Sequence, residues 1–198
     1  MPITILRHCQ SKYNCASASV RAAADAHHLR DADLSSEGER QLGQLVADAT
    51  KLFAGVRAVF TSPLRRALRT AIPIAAALGA KLYIVPALRE IRRDVSDIGS
   101  PGADLVKAFP KLVGLEKLPA RWWRDECSAC QDAQECDKCV KGRLDIVGEM
   151  AAENSGAIFV CHSDLALAMC GSNLKNGEYT TYDPTTKRDD ATKDYRMD

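Results

Sequence analysis

Ile3-Thr4-Ile5-Leu6-Arg7-His8 decides how this chain is read: a short, β-branched apolar run stops abruptly at an arginine and a histidine. A second run of the same design, Ala157 to Cys161, stops at His162. Two more stretches of strand composition lie between them, Val56 to Thr61 and Leu82 to Val85. Helical periodicity fills the gaps among the first three. Leu42, Leu45, Val46, Ala49, Leu52 and Phe53 share one face of a helix that Gly55 closes, and Ser36 with Glu39 reads as its capping box. Leu64, Ala67, Leu68, Ala71, Ile72 and Ala75 form the apolar face of the next helix. Ser62-Pro63 supplies its cap and first helical residue, and Gly79 stops it. Strand alternating with helix predicts a mostly parallel sheet covered on both faces, a three-layer α/β/α sandwich.

Composition agrees with a packed fold. The 198 residues suffice for one sizeable core and are few for two ordinary domains, so one domain over residues 1–198 is expected. Hydrophobic residues at 46% and charged residues at 27% exclude a disordered chain, a collagen-like fibre and a coiled coil. Lys+Arg 27 against Asp+Glu 26 leaves a net charge of +1, which points to neither a nucleic acid nor a membrane surface as partner. No apolar run approaches the roughly 18 residues that cross a bilayer, and the N-terminus lacks a basic leader; a cytoplasmic location is expected. Residues from about 92 to 140 break the periodicity with Gly99, Pro101, Gly102, Pro110, Pro119 and Trp122-Trp123, and read as a short insertion over one end of the sheet. Residues 183–198 read as a polar tail.

Ligands of a parallel sheet bind at the carboxyl ends of its strands. Here those ends carry Arg7-His8, Thr61-Ser62 leading to Arg65-Arg66, and His162-Ser163, while the third strand runs on to Glu90. Two imidazoles, several guanidiniums and one carboxylate at one edge predict a phosphate site. Arginine forks match phosphate oxygens, and a carboxyl group can protonate a leaving oxygen.

Seven segments then occur in a telling order. Leu6-Arg7-His8-Cys9-Gln10-Ser11-Lys12-Tyr13-Asn14 resembles the Arg-His-Gly-x-Ser-x-x-Asn signature of the histidine phosphatase superfamily, in its phosphoglycerate mutase-like branch. Asp31 to Gly38 is similar to the family's Asp-x-x-Leu-Thr-x-x-Gly segment, and Thr61 to Ala71 to its Ser-Pro-Leu-x-Arg-Ala-x-x-Thr-Ala helix. Leu88-Arg89-Glu90 resembles its Leu-x-Glu, and Val160-Cys161-His162-Ser163 its second histidine. Ser96 to Trp123 is similar to one subgroup of small members, and Leu174 to Glu178 to the family's late Asn-x-Glu strand. The resemblance spans about Ile3 to Tyr182.

It implies a phosphomonoester hydrolase working through a phosphohistidine, on a small phosphorylated metabolite or a phosphoprotein. His8 would be the nucleophile. Arg7, Arg66 and His162 would hold the phosphoryl oxygens, with Arg66 preferred to Arg65 because it directly precedes Ala67. Glu90 would be the general acid, and Asn14, Ser11 and Ser163 would touch phosphate or substrate. The alternatives are a cofactor-dependent phosphoglycerate mutase and a phospho-ligand-binding scaffold with weak turnover. One departure stands out: Cys9 replaces the signature's glycine, so a crowding Cβ and reduced activity are expected. Glu90 also sits in a charged run and could merely pair with Arg92 or Arg93. His27-His28 with Asp25, Asp31 and Asp33 is read as a solvated loop at the pocket mouth rather than as a metal site.

Eight cysteines are many for such a chain, and four fall within thirteen residues as Cys127-x-x-Cys130 and Cys136-x-x-Cys139. Paired C-x-x-C units suit a structural zinc site, although the five-residue gap is short against the usual spacing. On one continuous helix the second pair would fall about half a turn from the first. All four thiolates could then meet one ion only if the chain turned between them; buried or disulfide-paired cysteines are the alternative, as is a thiol-redox module. The phosphoryl chemistry itself calls for no cofactor. A small phosphorylated substrate is the expected partner, and a homodimer is compatible with the sequence.

Overall fold

The computed structural model describes residues 2–23, 26–124, 127, 129–130 and 134–185. Five strands form one sheet: β1 (Ile3–Arg7), β2 (Ala58–Thr61), β3 (Lys81–Ile84), β4 (Ile158–Cys161) and β5 (Tyr179–Tyr182). They lie in the order β3-β2-β4-β1-β5, with only β5 antiparallel to its neighbour. Every residue of β4 is buried, as a central parallel strand requires, whereas β3 and β5 alternate at the edges.

Alternation along the strands makes two cores. Leu6, Val59, Ile158 and Val160 face the helices α3 (Ser36–Leu52) and α4 (Arg65–Leu78), packing with Leu42, Leu45, Ala67, Ala71 and Ile74. Ile3, Ile5, Phe60 and Phe159 face the other way, onto Val147 and Ala151 of α6 (Asp137–Glu153) and Leu165, Ala166 and Met169 of α7 (Ser163–Cys170). The result is the three-layer sandwich expected. Two short helices, α1 (Lys12–Cys15) and α2 (Ala18–Ala22), follow β1, and α5 (Gly102–Ala108) lies in the insertion. The insertion's Leu105, Phe109, Leu115 and Trp122 pack on Leu64 and Leu68 at the start of α4. No helix among the described residues is long and apolar enough to cross a membrane.

Local chemistry departs from the sequence reading at both helix starts. Ser35, not Ser36, caps α3: its Oγ accepts from the N–H of Gly38 (3.1 Å), so the Ser36–Glu39 capping box does not form. The start of α4 lies two residues beyond Pro63, and Leu64 at its N-cap has no side chain to offer. A distant residue serves instead. Buried Asp31 accepts from the N–H of Arg65 (2.8 Å) with one oxygen and from the N–H of Ser100 (2.9 Å) with the other. It does so at φ 43°, a left-handed conformation that Asp tolerates better than most residues. Asp31 is therefore a buried structural brace and not part of a solvated loop, and Asp33 pairs with Arg65 and Arg69. Asp25 lies outside the described residues, as do residues 186–198 of the polar tail. Helices α6 and α7 were not predicted, and α6 begins inside the stretch read as insertion. Leu174 to Glu178 forms a turn rather than a strand, and β5 starts only at Tyr179.

Candidate active site

Parallel register brings the two histidines together. Arg7 pairs with Cys161 at the end of β1 and β4, and His8 N–H donates to the Cys161 carbonyl at 3.0 Å. The rings of His8 and His162 stand with centroids 5.0 Å apart. Both are buried. Burial, reinforced by the Arg66 guanidinium, pushes each imidazole well below the usual histidine range, so both are neutral near pH 7.

The tautomer of His8 follows from its partners. Arg66 Nε donates to His8 Nε2 (3.2 Å), so that nitrogen is an acceptor; the ring proton then sits on Nδ1 and is donated to the Cys9 carbonyl at 2.7 Å. Nε2 is therefore unprotonated, with its lone pair accepting from the Arg66 guanidinium. Arg66 is itself fixed, through Nη1 to the Ser96 carbonyl (2.6 Å) and Nη2 to Asp97 Oδ1 (3.0 Å). Arg65, one residue earlier on the helix, points away to Asp33. Arg7 Nη1 donates to the carbonyl of Leu174 (2.6 Å). Its Nε, like both ring nitrogens of His162, is buried without a hydrogen-bond partner among the described residues. Buried polar atoms are normally satisfied, and a bound anion would accept from Arg7 Nε and from the one nitrogen of neutral His162 that carries a proton.

A cavity of ≈ 240 Å³ opens over this edge. Arg7, His8, Ser11, Asn14, Arg66, Glu90 and Ser163 line it, joined by Arg93, Asp94, Asp97 and Asp164. His162 is wholly buried beside His8 and is not among the lining residues. Glu90 lies at the wall, where its carboxylate accepts from the N–H groups of Ile91 (2.9 Å), Asp164 (3.2 Å) and Leu165 (3.0 Å). Two of those donors belong to the first turn of α7, so Glu90 caps the helix that His162 begins. Burial raises the Glu90 carboxyl to about 7, helped by the negative charges of Asp164 and Asp97. Arg93 pairs with Asp164 (2.8 Å) and Arg92 donates to the carbonyls of Trp123 and Gln134.

Ser11 and Asn14 are tied to each other. Ser11 caps α1, its Oγ donating to Asn14 Oδ1 (2.9 Å), and Asn176 Nδ2 donates to the same oxygen (3.2 Å) and to the His8 carbonyl (3.1 Å). The Asn14 Nδ2 takes no part in these bonds and is the group it can offer a ligand. Cys9 is corrected by the structure. Its side chain is buried in the core with Leu6 and Leu42, away from the cavity, and Asp31 alone among described non-glycine residues has a positive φ. The expected crowding of the phosphate does not arise. Burial also holds its thiol up at about 11, fully protonated near neutrality. The sequence reading gave no site role to Arg21, Asp164 or Asn176; Arg21 stands in no patterned segment, whereas Asn176 belongs to the Leu174–Glu178 stretch that resembles the family's Asn-x-Glu.

A buried neutral imidazole with an unprotonated Nε2 held against a guanidinium, at the carboxyl edge of a parallel sheet, defines a class of phosphate-handling proteins. Residues 3–183 match the model of the histidine phosphatase superfamily (branch 1), and the chain belongs to that superfamily. It is thus a hydrolase of the phosphatase type. Among solved structures it is similar to a mycobacterial glucosyl-3-phosphoglycerate phosphatase, with TM-score 0.56, 23% identity, and coverage of 91% of this chain and 88% of that one. The alpha-ribazole phosphatase from Shigella flexneri gives TM-score 0.59 at 18% identity, over 92% and 90% of the two chains. The ecdysone phosphate phosphatase from Bombix mori, solved with tungstate, gives TM-score 0.53 at 19% identity, over 86% and 76%. At these identities the likeness is one of fold. No curated protein matches the sequence.

Proposed function

We propose that the chain hydrolyses small, polar phosphomonoesters through a phosphohistidine on His8. The observation that carries this is the state of His8: neutral, at the cavity wall, with Nδ1–H held by a carbonyl and the unprotonated Nε2 held by Arg66 Nε, from which it must turn to phosphorus when substrate binds. In the first step Nε2 attacks phosphorus and the ester P–O bond breaks. Glu90 gives its proton to the departing oxygen. Arg7, Arg66 and His162 take the equatorial oxygens, which suits a reaction that needs positioning and cationic stabilisation above all. In the second step the Glu90 carboxylate removes a proton from water, which attacks the P–N bond. Phosphate leaves, and His8 recovers its lone pair.

The cavity supports a small substrate, since ≈ 240 Å³ falls just below the roughly 300–1,000 Å³ of ordinary ligand pockets. Glu90, Asp94, Asp97 and Asp164 on its wall are matched by Arg7, Arg21, Arg66 and Arg93, so polar groups such as hydroxyls suit the space beyond the phosphate. The decisive test is His8→Ala, assayed on an aryl phosphate and by acid-labile phosphoenzyme after a rapid denaturing quench. Turnover and phosphoenzyme should both vanish while the circular dichroism is unchanged. Parent-level turnover in the variant would remove His8 as nucleophile.

A further inference from the structure

Four cysteines take no part in this chemistry, yet they stand together. The sulfurs of Cys127, Cys130, Cys136 and Cys139 all lie within 4.8 Å of one another, and those of Cys127 and Cys136 are 3.7 Å apart. Thiolates at about 2.3 Å around a tetrahedral zinc sit roughly 3.8 Å from each other. The turn that the short gap demands is present. Cys127 and Cys130 precede α6, Cys136 is its N-cap, and Cys139 lies in its first turn. Each pair closes on itself, with Cys130 N–H donating to the Cys127 carbonyl (3.1 Å) and Cys139 N–H to the Cys136 carbonyl (3.0 Å). Cys136 N–H also donates to the Cys130 sulfur at 3.3 Å, a bond that favours sulfur as thiolate. None of the four is in a disulfide, and no other such group of His, Cys, Asp or Glu occurs among the described residues.

The neighbour of Cys136 shows what a metal there would hold. Glu135 has its side chain wholly buried. It accepts from Arg89 Nη2 (2.6 Å), from Arg143 Nε (3.0 Å) and Nη2 (2.7 Å), and from the backbone N–H of Arg92 (3.0 Å). Arg143 Nη1 in turn donates to the carbonyls of Ala87 (3.1 Å) and Arg89 (2.8 Å). The backbone on both sides of Glu90 is thereby gripped by Glu135 and its partner arginine.

We propose that Cys127, Cys130, Cys136 and Cys139 bind one structural zinc ion, which anchors Glu135 and through it the segment that positions Glu90. Binding exchanges four S–H protons for four Zn–S bonds, with protons released to solvent and no change of oxidation state. Four protein sulfurs leave no open coordination position, so the ion is a fastener and not a reagent. The zinc assignment stands independently of the phosphatase reading; the positioning of Glu90 rests on it.

The test begins with full-length protein purified under reducing conditions without chelator. Elemental analysis should give one zinc per chain, and Cys136→Ser with Cys139→Ser should remove it. Should that variant fail to fold, the parent is stripped with a chelator and refilled with cobalt(II), whose intense visible absorption reports tetrahedral thiolate ligation. Protein that holds no zinc and takes up no cobalt, or that carries iron instead, overturns the site. Stripped protein should melt at lower temperature and recover on adding zinc. It should lose about tenfold or more on an alkyl phosphate, part of the 10²–10⁴ that general acid catalysis supplies, with little loss on an aryl phosphate of good leaving group. Equal losses on both would overturn the link to Glu90. Absence of all phosphatase activity in zinc-loaded protein would instead indict the catalytic reading, because the metal and cobalt measurements need no turnover.

Discussion

A nucleophile must be neutral and its partner acid protonated at the same pH, and environment alone separates His8 from Glu90. Burial and Arg66 keep the imidazole uncharged, while burial and neighbouring carboxylates hold Glu90 near 7. A basic alkoxide needs that proton; a good aryl leaving group does not. Glu90→Gln should therefore cost about 10²–10⁴-fold on alkyl phosphates and far less on an aryl ester, measured as kcat at pH 6. In the parent enzyme, kcat on alkyl phosphates should fall as pH rises through about 7, where Glu90 loses its proton. Stability has the same sign. The folded protein keeps a proton that the unfolded chain releases in the ordinary carboxyl range, so its stability falls as pH rises toward 7. The melting temperature of Glu90→Gln relative to the parent should consequently be more favourable at pH 8 than at pH 5. Cys9→Gly tests the one departure from the signature. It opens a hole in the core and frees the backbone, so it should lose on the order of 1 kcal/mol in urea melts and leave kcat unchanged. The residues facing phosphate were legible because strand ends expose them in order. The insulation of Cys9 was not, since its side-chain direction depends on how the chain leaves β1.

Helix α3 shows what an element owes to its neighbours. Its first turn lies against the loop after β1: Ser35 N–H donates to the Gln10 carbonyl, and Ser35 Oγ to Gln10 Oε1 at 2.8 Å. A Cβ placed on Gly38 would fall 2.0 Å from the Gln10 carbonyl oxygen, so glycine is required there by contact with backbone. Gly38→Ala should destabilise by about 1–3 kcal/mol or more, the cost of overpacking against a rigid neighbour, and should disturb the His8 loop. A lowered urea midpoint with raised KM would show both effects. The strands and the helices α3 and α4 were legible because their periods of two and 3.6 are clean. Their starts were not, because a serine pair offers two equivalent caps and a remote aspartate can replace a local one. Helices α6 and α7 escaped because Arg143 is buried among apolar residues and α7 is apolar on nearly every side.

At the scale of the molecule, Arg89, Glu135 and Arg143 form a buried charge cluster, with side chains 5%, 0% and 4% exposed. Removing the shared carboxylate leaves two guanidiniums facing each other without water. Glu135→Ala should cost about 3–5 kcal/mol, the price of breaking a buried ion pair from one side. Arg89→Ala should cost less, because Glu135 keeps Arg143. Paired denaturant melts of the two variants check the order. Nothing in the sequence marks this cluster, since its members are separated by 46 and 8 positions and each looks like a surface residue.

The placement of β1 between β4 and β5 has a consequence in time. The first of the five strands to be made has no sheet partner until residues 158–161 follow, and its other edge stays open until residues 179–182 are added. His8 thus waits through most of translation beside an unpaired strand, a state prone to mispairing. Nascent chains halted before β4 should be fully protease-sensitive over their first sixty residues, and resistance should appear only after β5 emerges. Slower synthesis lengthens that exposure, and a chaperone that covers the open edge guards it.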